Sequence, residues 1–268
     1  MRGGEAAMRK VESAMIDVAV AGCAGRMGKA TAAAVQAADD MRLVCGIDPH
    51  GHMGGFPVFA SVAEAVREAS FDVLVDFTQP SAVEGDIRAA LPAGIDCVIG
   101  TTGLEREKLQ ELADLAPEGT ALFFAPNFTI GAVLMMRFAQ AAAPYFPEAE
   151  VIEFHHARKK DAPSGTAVRT ARMIASARDF ESSAPGRETE IEGCGGARGA
   201  LVDGVPVHSV RSNGFSAQQE VIFGGMGQTL TITHNSWDTQ SYMPGVLLGI
   251  RKVGACEGLV VGLENFLD

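Results

Sequence analysis

Five short, largely apolar runs without strict alternation punctuate the first half of this chain, at residues 16–21, 43–47, 73–77, 97–99 and 121–124. A strand that is apolar on both faces belongs in a parallel sheet, because crossover helices cover the sheet from above and below. Helical signals lie between the runs: Ser61 with Glu64 and Ser81 with Glu84 stand at capping-box spacing, and 104–115 places apolar side chains at helical intervals. The repeating strand and helix order predicts an α/β fold, a Rossmann-like doubly wound parallel sheet, over 15–127.

Beyond about residue 128 the pattern changes. Helices are expected over 130–143 and 165–177, with a strand at 151–154 and a Gly-rich loop over 186–204. Short β-rich runs follow at 207–210, 219–223 and 229–233. The last alternates Thr with Leu and Ile, which suits an antiparallel sheet with one covered face. These segments predict a second, α+β domain with a mixed sheet over 128–236. The remainder, 237–268, with a helix at 243–253, is expected to return to the first domain, and 1–14 reads as a flexible extension.

A chain of 268 residues can bury a substantial core. Its 22 Lys and Arg against 33 Asp and Glu leave a net charge of −11, which argues against nucleic acid as a partner because phosphate binding needs a basic face. No apolar run approaches the roughly 20 residues of a membrane helix, and residues 1–14 lack the apolar stretch of a secretory signal, so a cytoplasmic protein without a membrane partner is expected. The five cysteines form no CxxC pair and lie apart from the histidines, so no metal is expected.

The segment Gly22-Cys23-Ala24-Gly25-Arg26-Met27-Gly28 follows the first strand and opens an Ala-rich helix. Free amides and the helix dipole at such a turn suit a pyrophosphate, although GxxGxxG also serves as a purely structural turn. Asp48 ends the second run twenty residues after Gly28 (48 − 28), where a carboxylate can hydrogen-bond an adenosine ribose. It also fits a turn before Pro49. A carboxylate there disfavours a 2′-phosphate, and Pro49 and His50 follow it instead of an arginine, so NADH is favoured over NADPH. His50 and His52 are candidate weak phosphate contacts.

His155, His156, Arg158, Lys159 and Lys160 lie within six residues, ahead of Asp161, Pro163, Ser164, Gly165 and Thr166. So much positive charge repels itself unless an anion answers it, and Ser164, Gly165 and Thr166 stand where a helix N-cap would offer hydroxyls and amides to a carboxylate. The combination suits a small di-acid. Reducing a C=N or C=C bond takes a hydride on one atom and a proton on its neighbour, and nicotinamide supplies only the hydride. Lys159 and His155 are the candidate acids; the alternative is that the cluster only anchors an anion.

These stretches, with Asp76-Phe77-Thr78, Gly100-Thr101-Thr102-Gly103, Ala125-Pro126-Asn127-Phe128, Val207-His208-Ser209-Val210-Arg211 and Thr231-Ile232-Thr233-His234, make a chain that strongly resembles the 4-hydroxy-tetrahydrodipicolinate reductases, also called dihydrodipicolinate reductases. The resemblance implies reduction of a cyclic, unsaturated dicarboxylate with NADH or NADPH in lysine and diaminopimelate biosynthesis, by a homotetramer built through the sheet of the second domain, so that 128–236 serves substrate binding and oligomerisation. It implies that His155 and Lys159 handle protons, and that His156, Ser164, Gly165 and Thr166 hold the substrate carboxylates. It implies cofactor contacts at Gly22, Cys23, Ala24, Gly25, Arg26, Met27, Asp48, Gly100, Thr101, Thr102, Ala125, Pro126, Asn127 and Phe128, with Phe77 and Thr78 near the nicotinamide. Two other readings are a non-catalytic nicotinamide sensor, which needs no proton donor, and another amino-acid dehydrogenase. A semialdehyde dehydrogenase needs a nucleophilic thiol, and 155–166 contains none.

Overall fold

The computed structural model describes residues 15–51, 55–178 and 193–267. The chain forms two compact units, one ending at Phe128 and resuming at Tyr242, the other made of Thr129–Ser241.

The first unit is a wholly parallel sheet. Its strands are β1 (Ile16–Ala21), β2 (Met41–Ile47), β3 (Val58–Phe59), β4 (Val73–Asp76), β5 (Asp96–Ile99) and β6 (Ala121–Phe124), and a seventh comes after the second unit has been traced. The intervening helices are α1 (Arg26–Ala37), α2 (Val62–Glu68), α3 (Val83–Ala90) and α4 (Arg106–Ala113). Val18 to Ala21, all of β4 and all of β6 are buried, which is why these runs read as apolar, with Asp76 at the end of β4 the one charged residue among them. Ser61 caps α2 as expected, its Oγ accepting the Glu64 N–H at 3.2 Å. Ser81 does not cap α3. The Gln79 carbonyl takes the amides of Ala82 and Val83, so the helix grows out of a turn with Ala82 at the cap position, and Glu84 pairs with Arg88 instead.

The second unit contains α5 (Ile130–Ala142), β7 (Glu148–His155), α6 (Gly165–Ser176), β8 (Ala200–Val202), β9 (Val205–Arg211), β10 (Ala217–Gly225) and β11 (Gln228–Ser236). The five strands lie in the order β11-β10-β7-β9-β8; only β7 and β9 run parallel, so the sheet is mixed. On β7, Ala149, Val151 and Glu153 alternate onto the buried face, which carries one carboxylate into the core. The expected loop over 186–204 is only partly a loop. Residues 186–192 lie outside those described, and β8 pairs with β9 through an Asp203-Gly204 turn with φ of 47° and 82°, the left-handed geometry of a tight hairpin. The covered face of β11 is also shorter than its Thr alternation suggests. Ile232, His234 and Ser236 are turned from solvent, and Gly131 of α5 lies so close that a Cβ there would be 2.6 Å from the His234 ring, whereas Leu230 is exposed.

The chain then rejoins the first unit. The helix α7 (Met243–Val253) approaches so closely that a Cβ on Gly245 would lie 1.9 Å from the Phe128 carbonyl oxygen. The last strand, β12 (Gly258–Val261), pairs with β6 and completes the order β12-β6-β5-β4-β1-β2-β3. Phe266 follows it and packs against the buried Phe123 at a tilt of 48°, with centroids 4.4 Å apart. No helix among the described residues is long and apolar enough to cross a membrane.

Candidate active site

In the first unit β1 lies between β2 and β4, so connections leave it in both directions and the strand ends there flank a crevice. Each glycine of the turn after β1 has a steric reason. Gly22 adopts φ +74°, and a Cβ on it would stand 2.6 Å from the Phe77 carbonyl oxygen. A Cβ on Gly28 would lie 2.0 Å from the Gly22 carbonyl oxygen, so only glycine lets α1 start this close to the strand. Gly25 is the helix cap and donates its N–H to the Gly22 carbonyl. Among the described residues no side chain caps α1 and no acidic residue stands in its first turn, which leaves the Arg26 and Met27 end of a twelve-residue helix suited to an anion.

Asp48 follows β2, and both of its oxygens accept backbone N–H groups, Oδ2 from Ala24 at 3.2 Å and Oδ1 from His50 at 3.0 Å. It therefore makes a turn and also ties that turn to the glycine loop. His50 is exposed; His52 lies outside the described residues. Cys23 is buried, and burial together with the Asp48 charge pushes its thiol up. Beyond β4 and β5, Phe77 and Gly100 touch: a Cβ on Gly100 would stand 2.1 Å from the Phe77 ring, whose other neighbour is Phe128 in an edge contact at 5.7 Å. Thr101 is nearly buried and Thr102 exposed; Ala125 and Phe128 are buried, Pro126 is exposed and Asn127 half-buried. All these residues follow the C-terminal ends of β1, β2, β4, β5 and β6.

In the second unit the site is organised by Glu153, which is wholly buried. Arg211 of β9 grips it with two nitrogens at 2.7 and 2.8 Å, the Ser164 N–H reaches Oε1 at 3.2 Å, and His155 Nδ1 lies 2.5 Å from Oε2. Burial pushes this carboxyl up, yet hydrogen bonds from His155, Arg211 and Ser209 outweigh it and hold Glu153 at about 2. A carboxylate on Nδ1 places the N–H there and leaves Nε2 as the working nitrogen of His155. Lys159 is half-buried and paired with Asp161 at 2.8 Å, which holds the Asp161 carboxyl below its ordinary range. The anions that answer the cationic cluster are thus in part its own.

Ser164 is buried as the cap of α6, its Oγ accepting the Ala167 N–H at 3.2 Å, so its hydroxyl is engaged within the fold. Gly165 is exposed at the first position of the helix and Thr166 is half-buried beside it. His156 has a buried Nδ1 with no hydrogen-bond partner among the described residues, a nitrogen suited to an incoming ligand. Sequence reasoning gave no role to Glu153, Arg211 or Asp76. A charged residue on the apolar phase of β7, and an arginine in the corresponding phase of β9, were the available signals. Among the described residues no group of three or more His, Cys, Asp or Glu is placed to hold a metal ion.

Residues 16–128 match the family model for the dihydrodipicolinate reductase N-terminus, and 131–267 match that for its C-terminus. The 4-hydroxy-tetrahydrodipicolinate reductase of Streptomyces coelicolor is 49% identical over 254 residues, covering 94% of this chain and 97% of the relative. That of Nocardia farcinica is 48% identical over 258 residues, covering 94% and 99%. A dipicolinate-bound dihydrodipicolinate reductase from Paenisporosarcina sp. TG-14 superposes with a TM-score of 0.86 at 42% identity, over 95% of this chain and all of that one. A probable dehydrogenase from Thermotoga maritima, 12% identical with a TM-score of 0.62, shares the fold alone. Matched in order through both of its units, the chain belongs to the dihydrodipicolinate reductase family.

Proposed function

We propose that this chain is a 4-hydroxy-tetrahydrodipicolinate reductase, an NAD(P)H-dependent oxidoreductase acting on a cyclic, unsaturated dicarboxylate. The observation that carries the reading is the His155, Glu153 and Arg211 cluster at the cap of α6, in a chain whose glycine loop fits a dinucleotide. When bound, the reduced nicotinamide supplies the hydride. The remaining work falls to the protein. The amides opening α6 at Gly165 and Thr166, with His156, hold the carboxylates, while the Ser164 cap fixes that turn. Glu153 holds His155 in one tautomer, and His155 Nε2 or the Lys159 ammonium protonates the substrate atom next to the one that receives hydride. Asp161 keeps the ammonium beside the site.

Gly22, Cys23, Ala24, Gly25, Arg26 and Met27 take the pyrophosphate, and Asp48 takes the adenosine ribose. Gly100, Thr101, Thr102 and the 125–128 turn take the nicotinamide half, with Phe77 and Thr78. The Asp48 carboxylate supports NADH over NADPH because it repels a 2′-phosphate. The working unit is a homotetramer, a reading supported by the exposed apolar side chains Leu201, Met226, Leu230 and Trp237 in the second unit. The test generates the substrate from pyruvate and aspartate semialdehyde with its synthase and follows NADH and NADPH oxidation separately. Both are expected to be consumed, NADH with the higher kcat/KM, and added dipicolinate is expected to inhibit. Consumption of neither cofactor would overturn the assignment, and dinucleotide binding without turnover would mark a sensor.

A further inference from the structure

Asp76, at the end of β4, is wholly buried. Three donors converge on its Oδ1: the Thr78 N–H at 3.0 Å, the Thr78 Oγ1–H at 2.8 Å and the Thr101 Oγ1–H at 2.6 Å. Its Oδ2 meets no hydrogen-bond partner among the described residues. The acidic neighbour is Asp86 of α3, whose carboxyl is pushed to about 7 by burial and by Asp76, against a hydrogen bond from Thr78 that lowers it. Three donors on one oxygen mark a carboxylate, which accepts hydrogen bonds and donates none. Each threonine hydroxyl has a single proton; that of Thr101 points at Asp76, and that of Thr78 is held within the same acidic pair, by Asp76 or by Asp86. What Thr78 and Thr101 turn away from these carboxyls is lone pairs only.

The two threonines follow β4 and β5, on the opposite side of β1 from Asp48. In a doubly wound sheet with its crevice at β1, the second mononucleotide half of a dinucleotide lies over these strand ends. We propose that Asp76 is a positioning residue that makes Thr78 and Thr101 obligate hydrogen-bond acceptors, so that the site takes a dinucleotide bearing a carboxamide and rejects its carboxylate counterpart. A carboxamide brings an NH₂ with two donors to those lone pairs. A carboxylate brings none, adds a negative charge close to Asp76, and leaves the acceptors unmatched. The inference rests on the cofactor reading given above.

Calorimetric titration with NAD⁺ and with nicotinic acid adenine dinucleotide, which differ only at that group, tests it. The wild-type protein is expected to bind NAD⁺ at least about tenfold more tightly than the acid. In Asp76→Ala the hydroxyls are free to turn and donate, and the ratio is expected to fall to about threefold or less. The paired change Thr78→Val with Thr101→Val, which leaves the buried carboxylate in place, should compress the ratio in the same way if Asp76→Ala does not fold. Thr101→Ser should keep it. Equal binding of the two dinucleotides by the wild-type protein, or variants that weaken both equally and preserve the ratio, would overturn the proposal. Binding of neither would show instead that the cofactor reading has failed, and this inference with it.

Discussion

Glu153, wholly buried, and Asp86, half-buried, are carboxyl groups whose acidity moves in opposite directions, and their consequences for stability have opposite signs. Glu153, ordinarily near 4.5, is held at about 2. Its contribution is therefore present above pH 4.5 and lost as pH falls through 2. Removing one partner of a buried ion pair costs about 3–5 kcal/mol, so Glu153→Gln is expected to lower the urea midpoint strongly at pH 7, with the deficit shrinking between pH 4.5 and 2. The same variant frees the tautomer of His155 and should reduce kcat by at least about tenfold while leaving dinucleotide affinity unchanged. Asp86, ordinarily near 3.8, is raised to about 7 by burial and by Asp76. A raised carboxyl favours the folded state at low pH, and that benefit disappears as pH rises through 7. Asp86→Asn should thus raise the melting temperature increasingly from pH 4 to 7 and by a constant amount above; a gain independent of pH would show that Asp86 does not titrate there. The His155 to Thr166 block stood out because its members are neighbours in sequence, and Asp48 because a fixed spacing from a glycine loop marks the place of an acidic residue. Glu153 did not, since Arg211 lies 58 residues away, nor did Asp76, whose Thr101 lies 25 residues on.

Five strands of the first unit were the most legible elements. A strand covered on both faces writes an unbroken apolar run, and only its end residues vary, as with β2, which starts at Met41, two residues before its apolar run. Helix starts were harder, because a cap depends on the local path of the chain. Ser61 meets the Glu64 amide and Ser81 meets none, although both stand three residues before a glutamate. Ser61→Ala is expected to cost about 1 kcal/mol and Ser81→Ala close to nothing, a contrast that thermal melts at one pH would resolve. The glycine loop makes a sharper claim. Gly28→Ala would drive a methyl to 2.0 Å from the Gly22 carbonyl oxygen, so α1 must withdraw from β1 and the amides proposed to hold a pyrophosphate move with it. A loss of NADH affinity of more than about tenfold is expected by calorimetry; Gly25→Ala, whose Cβ would stand 3.1 Å from the same oxygen, should be milder. The β8 hairpin escaped notice because its Gly-rich surroundings mask a three-residue strand.

At the scale of the whole molecule, the seven-stranded sheet takes six strands from before the second unit and one from after it. That the sheet is parallel followed from the β-α alternation, but the pairing of Gly258–Val261 with β6 did not, since a short apolar run carries no mark of its partner. Once placed, β12 closes an edge and brings Phe266 onto Phe123, which is fully buried. Truncation after Val253 is therefore expected to expose the Phe123 ring and the open edge of β6. It should lower the melting temperature of the first unit and abolish dinucleotide binding, measured by circular dichroism and calorimetry. Retention of both would mean that β12 is dispensable. The same architecture has a temporal side. On the ribosome, Phe124 emerges long before Val261, and the whole of Thr129–Ser241 must be synthesised between them, an interval on the order of ten seconds at ordinary translation rates. Throughout it the nascent chain presents an unpaired apolar strand border, the kind of surface that recruits other chains. Codon choices that slow elongation across the middle of the gene should accordingly increase the insoluble fraction of newly made protein, while leaving the refolding yield of the finished polypeptide untouched.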